Sequence, residues 1–187
     1  MPRARSFPAI ESDAAHTLIL GTMPGVASLK ARQYYAHPRN AFWGILAELV
    51  GFDPTLDYEA RIECVIAAGI AVWDVLQSCE RSGSLDSQIE GGSIVANDFE
   101  VFFARYPRIE RVCFNGAAAE RLYQRHVLPT LGAAVSPRYV RLPSTSPANA
   151  SITASAKAEQ WGEVMLQGWG KKRENIDRLP QYTGTNR

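Results

Sequence analysis

Short apolar runs alternate with longer segments of helical periodicity along most of the chain, and this alternation limits the possible folds more than any other feature. Strands are predicted at 17–20, 70–73, 111–114 and 139–142, and the one at 70–73 is expected to be buried. Helices are predicted at 41–50, 58–68, 98–106, 117–126 and 154–169. Crossover helices between strands allow neighbouring strands to run parallel. The sequence therefore predicts an α/β fold with three layers, α/β/α, around a central, mainly parallel four-stranded sheet.

A single domain is predicted over residues 1–170, followed by a polar C-terminal tail over 171–187. The chain has 187 residues, of which 46% are hydrophobic, and this is sufficient for one core. The stretch 77–97 is rich in Ser, Gly and Asp, which predicts a long loop.

Composition excludes several classes of protein. Cys64, Cys79 and Cys113 are widely spaced and form no Cys-x-x-Cys pair, so we expect no disulfide framework, no metal and no cofactor. The apolar stretches are too short to span a bilayer and the first residues lack the apolar core of a signal peptide, which predicts a soluble, cytoplasmic protein. A monomer is the default expectation. The formal net charge of +1 gives no general argument for a nucleic-acid partner, so any such argument must come from local residues.

Polar segments follow the predicted strands at the ends where ligands bind in parallel sheets. Four of them should converge there: 21–40, Asp74 with the loop after it, Asn115-Gly116, and 143–150. Asn40 is also placed to cap the helix predicted at 41–50.

The first of these segments combines a small-residue turn with planar side chains. Gly21-Thr22-Met23-Pro24-Gly25 follows the first strand, where backbone N–H groups can approach a ligand closely. Tyr34, Tyr35 and His37 then precede Pro38-Arg39-Asn40 and an aromatic pair. Planar side chains beside a backbone turn suit a flat base.

These residues carry a resemblance to a known family. The pattern Gly-x-x-Pro-Gly, then an aromatic residue, then His-Pro-x-Asn-x-Phe-Trp resembles the mismatch-specific uracil-DNA glycosylases. The form with Met23 and Tyr35 resembles the hypoxanthine (deoxyinosine) DNA glycosylases of the same uracil-DNA glycosylase superfamily. Residues 142–150, Leu-Pro-Ser-Thr-Ser-Pro-Ala-Asn-Ala, resemble the superfamily's second motif, a loop that carries a catalytic His or Asn and enters the minor groove. Trp73-Asp74-Val75-Leu76 resembles its base-reading strand end.

The resemblance implies a uracil-DNA glycosylase-like fold and a monofunctional DNA glycosylase. Such an enzyme would hydrolyse the N-glycosidic bond of a deaminated base in DNA, hypoxanthine first and uracil as well. Met23 and Ser144 stand where many relatives place catalytic polar residues. In the hypoxanthine-specific branch the resemblance gives the catalytic role to Asn40, and Ser144 is the second catalytic candidate.

The resemblance also assigns base-binding and DNA-binding residues. Asp74 could accept a ring N–H of the base or serve as a helix cap, and Asn115 could read the base edge or bridge two loops. Ser144, Ser146 and Asn149 could donate to phosphates or form Ser/Thr turns. The base-binding candidates are Gly21, Thr22, Met23, Pro24, Tyr35, Asp74 and Asn115. The DNA-binding candidates are His37, Ser146, Ala148 and Asn149, with Lys171-Lys172-Arg173 as a weaker one.

Other functions remain open from the sequence. Ala148 occupies the position of the superfamily's bulky wedge, so extrusion of the base would depend on weak pairing. A mismatch-specific uracil or thymine DNA glycosylase is one alternative, and an inactive relative that binds nucleic acid is another. A small-molecule hydrolase or nucleotide-binding protein is the third, although no GxxxxGK[ST] or GxGxxG motif supports it.

Overall fold

The computed structural model describes residues 3–132 and 135–167. The strands, in chain order, are β1 (Arg3–Arg5), β2 (Thr17–Gly21), β3 (Ile70–Asp74), β4 (Leu76–Glu80), β5 (Val95–Ala96), β6 (Arg111–Asn115) and β7 (Arg138–Leu142). The helices are α1 (Val26–Ala31), α2 (Phe42–Val50), α3 (Tyr58–Ala67), α4 (Phe99–Arg105), α5 (Ala117–His126) and α6 (Ala154–Met165). No helix within these residues is long and apolar enough to cross a membrane.

The central sheet has four parallel strands in the order β3-β2-β6-β7. Its register places Gly21 opposite Asp74 at one edge and Asn115 opposite Leu142 at the other. The last residues of all four strands therefore meet at one end of the sheet. The predicted four-stranded parallel sheet is confirmed.

Side chains of the central strands alternate between two separate cores, as the pleat of a strand requires. Ile19 faces α2, α3 and α6, where Phe42 and Trp161 are fully buried. Leu18 and Leu20 face the opposite side, where they pack against α4 and α5. Helices thus cover both faces of the sheet, which makes the predicted three layers.

The predicted loop at 77–97 was wrong, because this stretch contributes two strands to a second sheet. That sheet has the order β1-β4-β5 and is antiparallel. Only Val75 separates β3 from β4, so the chain passes directly from the central sheet into the second one. The stretch contains polar turns, including 3₁₀ turns at Asp86–Gln88 and Gly91–Ser93.

The helices also differ from the prediction. The segment 21–40, predicted as a loop, contains the short helix α1. Helix α6 ends at Met165. Trp169 and the tail with Lys171-Lys172-Arg173 lie outside the described residues, so the expectations made for them stay predictions.

Candidate active site

A cavity of about 160 Å³ opens at the end of the central sheet where its four strands terminate. Most of the predicted site residues line it: Gly21, Thr22, Met23, Pro24, Tyr35, His37, Asn40, Asp74, Asn115, Ser144 and Ser146. Ala148 and Asn149 are not among the lining residues. The polar segments predicted to converge at this end of the sheet therefore line one cavity.

Asp74 ends β3 and is almost completely buried, with 3% of its surface exposed. Its Oδ2 accepts a hydrogen bond of 2.8 Å from the hydroxyl of Ser6. The pKa of Asp74 is raised to about 7, mainly by burial. The Ser6 hydrogen bond and the Arg81 charge oppose this rise, and the negative charge of Asp86 contributes to it. Near neutral pH this side chain can therefore present either a carboxylate or a carboxylic acid to the cavity.

Tyr35 forms an aromatic wall of the cavity. Its ring stacks on Phe42, with 3.8 Å between ring centroids and an interplanar angle of 19°. Its buried hydroxyl has no hydrogen-bond partner among the described residues, and burial raises its pKa well above the ordinary value. Tyr35 has a φ of 55°, in the left-handed region that non-glycine residues seldom adopt. A constrained aromatic residue with an open hydroxyl is a feature of ligand sites.

Glycine is required at position 21 because two polar groups close in on its α-carbon. A methyl group there would lie 2.5 Å from Asp74 Oδ1 and 2.8 Å from the Tyr35 hydroxyl oxygen. Any larger residue would therefore displace one of these groups and reduce the cavity.

Thr22, Met23, Pro24 and Gly25 form another part of the wall. We call them the base-binding turn, because the first three are base-binding candidates from the sequence. Their carbonyl groups are largely occupied: the carbonyl of Thr22 accepts from the Leu76 N–H at 3.1 Å, and that of Pro24 accepts from Arg81 at 2.7 Å. The side chain of Met23 packs in the core beneath α4 and α5.

The side-chain amide oxygen of Asn40 faces the backbone at the start of α2. Its Oδ1 accepts a hydrogen bond of 3.0 Å from the Phe42 N–H, while the N-cap position itself is Ala41. The predicted capping role is thus displaced by one residue. The amide NH₂ of Asn40 is the group left for a ligand in the cavity.

Asn115 bridges two loops through both ends of its amide. Its Nδ2 donates to Thr145 Oγ1 at 2.9 Å, and its Oδ1 accepts from the Thr145 N–H at 2.8 Å. The Thr145 carbonyl in turn accepts from the Ala41 N–H at 3.1 Å. Of the two roles left open for Asn115, the structure shows loop bridging.

The second-motif loop is held by its own short side chains. Ser144 Oγ accepts from the Ser146 N–H at 3.3 Å, and Ser146 Oγ accepts from the Ala148 N–H at 3.2 Å. Asn149 Nδ2 donates to the Ser144 carbonyl at 3.1 Å, and the carbonyl of Asn149 accepts from Lys157 at 2.8 Å. These are the Ser/Thr turns left open as an alternative to phosphate contacts.

Gly116 lets this loop approach β6. Gly116 has a φ of 103°, and a methyl group on it would lie 2.8 Å from Ser144 Cβ. His37 lies across the cavity, where its Nδ1 accepts from the Arg39 N–H at 3.1 Å. Ala148 is exposed beside the cavity.

Several residues of the site were not singled out from the sequence. Thr145 lies within the quoted second motif, but its role as a bridge depends on Asn115, which is 30 residues away. Ser6, Arg81 and Asp86 reach the site only through the second sheet and its turns. No local pattern signals these contacts.

The fold and the cavity together define a class of protein: an α/β/α protein with a small cavity, lined by an aromatic ring and a buried carboxyl group, at the carboxyl ends of its parallel strands. The aromatic wall suits stacking, and the buried carboxyl group suits a ring N–H. Comparison with known proteins identifies the family within that class.

Residues 8–167 match the family model described as the uracil DNA glycosylase superfamily, and the chain belongs to this superfamily. It is similar to a hypoxanthine DNA glycosylase of Methanosarcina barkeri (strain Fusaro), with 34% identity over 115 residues, which cover 61% of this chain and 72% of the relative. It is also similar to a hypoxanthine DNA glycosylase of Methanosarcina acetivorans, with 33% identity over 135 residues, 67% of this chain and 84% of the relative. The predicted resemblance is confirmed.

A solved structure supports the same family. It is a solution NMR structure of a protein from Methanosarcina acetivorans, described as a candidate uracil DNA glycosylase. The TM-score is 0.74 at 30% identity, and the match covers 89% of this chain and 98% of the other. The three-layer fold predicted from the sequence is therefore shared with this protein.

Proposed function

We propose that this protein is a monofunctional DNA glycosylase that hydrolyses the N-glycosidic bond of a deaminated base in DNA, with hypoxanthine as the first substrate. One observation carries the proposal: Asp74, Tyr35 and Asn40 line a single small cavity. The similarity to two hypoxanthine DNA glycosylases supports the choice of base.

In the proposed mechanism the target nucleotide leaves the duplex and its base enters the cavity. The face of Tyr35 away from Phe42 stacks on the base, and the Asp74 carboxylate accepts the N1–H of hypoxanthine. An ionised carboxylate only accepts hydrogen bonds, so it favours a ring N–H over a ring nitrogen without hydrogen. Uracil, which carries an N3–H, is the second candidate base for the same reason.

Cleavage of the bond leaves negative charge on the departing base, and donors fixed in advance stabilise such charge strongly. We assign this role to N–H groups of the base-binding turn. Asn40 aligns the water that attacks the sugar. None of the described lining residues is a lysine, so the proposal uses water directly and includes no Schiff base. We further propose that the protein acts in the cytoplasm as a monomer.

The test is base release from labelled duplexes that contain one deoxyinosine or one deoxyuridine, developed by alkaline strand cleavage. Wild type is compared with Asn40→Ala and Asn40→Asp. Asn40→Asp keeps an oxygen for the Phe42 N–H, replaces the NH₂ group by a second oxygen and adds a negative charge. If Asn40 acts in chemistry, both variants lose at least about 10²-fold in release rate.

Each alternative outcome has a separate meaning. Activity retained in Asn40→Asp and lost in Asn40→Ala would reduce Asn40 to a helix-capping residue. Cleavage of deoxyuridine alone would favour the mismatch-specific uracil glycosylases. Binding of both duplexes by wild type without release of either base would reject the proposal in favour of an inactive nucleic-acid-binding relative.

A further inference from the structure

The base-binding turn is held by residues 81–86, which we call the clamp segment; its Ser84 and Asp86 also line the cavity. This segment follows β4 and leads into the 3₁₀ turn Asp86–Gln88. Three of its side chains bond to the turn or to the residue after it: Arg81 Nη2 donates to the Pro24 carbonyl at 2.7 Å, Ser84 Oγ accepts from the Val26 N–H at 2.9 Å, and Asp86 Oδ2 accepts from the Thr22 hydroxyl at 3.1 Å. The clamp segment therefore fixes the turn at both ends and near its middle.

Arg81 is an unusual member of this set because its charged side chain is only 1% exposed. Its Nε and Nη1 have no hydrogen-bond partner among the described residues, and Nη1 lies 3.8 Å from Asp86 Oδ1. A buried guanidinium with open donors is a poor means of stabilising a fold, and an apolar residue of similar size often does so better. Stability alone therefore gives no reason for an arginine here.

The peptide plane between Pro24 and Gly25 links Arg81 to the cavity. In a trans peptide the C=O and the N–H point in opposite directions, and the described chain contains no cis peptide bond. Arg81 holds the Pro24 carbonyl and is not itself a lining residue, whereas Pro24 and Gly25 both line the cavity. Because the Pro24 carbonyl points toward Arg81, the Gly25 N–H of the same peptide plane points away from Arg81.

We propose that Arg81 is a positioning residue, which holds the Pro24 carbonyl so that the Gly25 N–H is directed at the base in the cavity. This inference rests on the proposed glycosylase function. The N–H would then be one of the fixed donors that receive the charge of the departing base, and it needs no movement during the reaction. Arg81 itself touches neither the base nor the DNA.

The test compares wild type with Arg81→Met and Arg81→Lys. Methionine keeps the length of the side chain and removes its donors and charge, whereas lysine keeps one donor for the Pro24 carbonyl. Under single-turnover conditions with saturating enzyme at pH 9, well above the pKa of Asp74, the lost Arg81 charge does not act through Asp74. We expect Arg81→Met to release the base about 10²-fold more slowly there, the scale of loss caused by small misplacements in a site. The apparent Kd for the duplex should be nearly unchanged. Arg81→Lys should release the base at least about tenfold faster than Arg81→Met.

Arg105→Met is the matched control, since Arg105 is exposed at the end of α4, near the opposite end of the sheet from the cavity. It should release the base at the wild-type rate. Thermal unfolding measured on every variant separates lost activity from lost fold. If Arg81→Met does not fold, Arg81→Leu, which also has no donor for the Pro24 carbonyl, takes its place with the same expectations.

Two results would overturn the inference while the proposed function stands. In the first, wild type is active and the folded Arg81→Met or Arg81→Leu variant releases the base within about threefold of its rate. In the second, Arg81→Lys is as slow as Arg81→Met. No release by wild type from any duplex would instead reject the proposed function itself.

Discussion

Asp74 is the residue whose environment makes the most direct functional prediction, because burial holds its pKa at about 7. If the base is read by the ionised carboxylate, activity requires the deprotonated form. The fraction of that form rises with pH, so kcat/KM for deoxyinosine duplexes should increase through about pH 7 and then level off. Rates measured between pH 5.5 and 9 test this, and Asp74→Asn should be slow at every pH and lack the inflection.

Ser6→Ala provides a matched variant for this assignment. The Ser6 hydroxyl donates to Asp74 and lowers its pKa, so its removal should raise the pKa and move the inflection to higher pH. An unmoved inflection in Ser6→Ala would assign the titration to another group. A flat profile in wild type would remove Asp74 from base recognition.

Individual site residues could be predicted from the sequence wherever they lie at a strand end or inside a motif. Asp74 and Asn115 end two parallel strands, and the direction of those strands brings them to one edge of the sheet. Ser6 and Arg81 could not be predicted in this way. Their partners are 68 and 57 residues distant, and such pairs are fixed by tertiary packing.

Among the elements, β6 is connected to the second-motif loop by Asn115, and this connection should contribute to stability and to activity. Asn115→Ala removes both bonds to Thr145, leaves a buried hydroxyl and N–H without partners, and should lower the free energy of unfolding by about 1–3 kcal/mol. Urea unfolding measures the loss. Base release should also slow, since Thr145 carries the link to Ala41 beside Asn40.

Asn115→Asp is the control for this pair, because it keeps the oxygen that accepts from the Thr145 N–H and loses only the donor. Its loss of stability should be smaller than that of Asn115→Ala. Equal stability of wild type and Asn115→Ala would show that the bridge contributes nothing to the loop.

Three of the four central strands, β2, β3 and β6, were predictable as elements because each contains an apolar run before a polar turn. β7 is Arg-Tyr-Val-Arg-Leu, in which polar and apolar residues are mixed, and it ends before the loop that starts at Pro143. The second sheet was not predictable, for a physical reason visible in its strands. β1 is Arg-Ala-Arg, and β5 has only two residues, too short for any period to be detected. β4 follows β3 after one residue and is followed by a polar stretch, so composition masked it.

When the whole molecule binds DNA, the target base must leave the base stack, and the residue at position 148 should affect this step. Ala148 is exposed beside the cavity and too small to fill a gap in the base stack. Wild type should therefore depend on weak pairing and release hypoxanthine faster opposite thymine than opposite cytosine. Ala148→Leu should raise the rate opposite cytosine and narrow this ratio. Single-turnover rates on the two duplexes measure it, with Ala148→Ser as a small-residue control.

A ratio that stays unchanged in Ala148→Leu would mean that another group, or none, enters the stack. The protein carries a formal net charge of only +1. Overall charge gives the protein little general attraction for DNA, so local contacts around the cavity must provide affinity.

The cavity draws its walls from segments spread along nearly the whole chain, from Gly21 in β2 to Ser146 after β7. During synthesis these segments leave the ribosome one after another, and the second-motif loop is among the last. A nascent chain that has completed β2, β3 and β6 therefore has most of a sheet but an open cavity. The proposed ability to remove a base should appear only after the loop beyond β7 has joined the sheet.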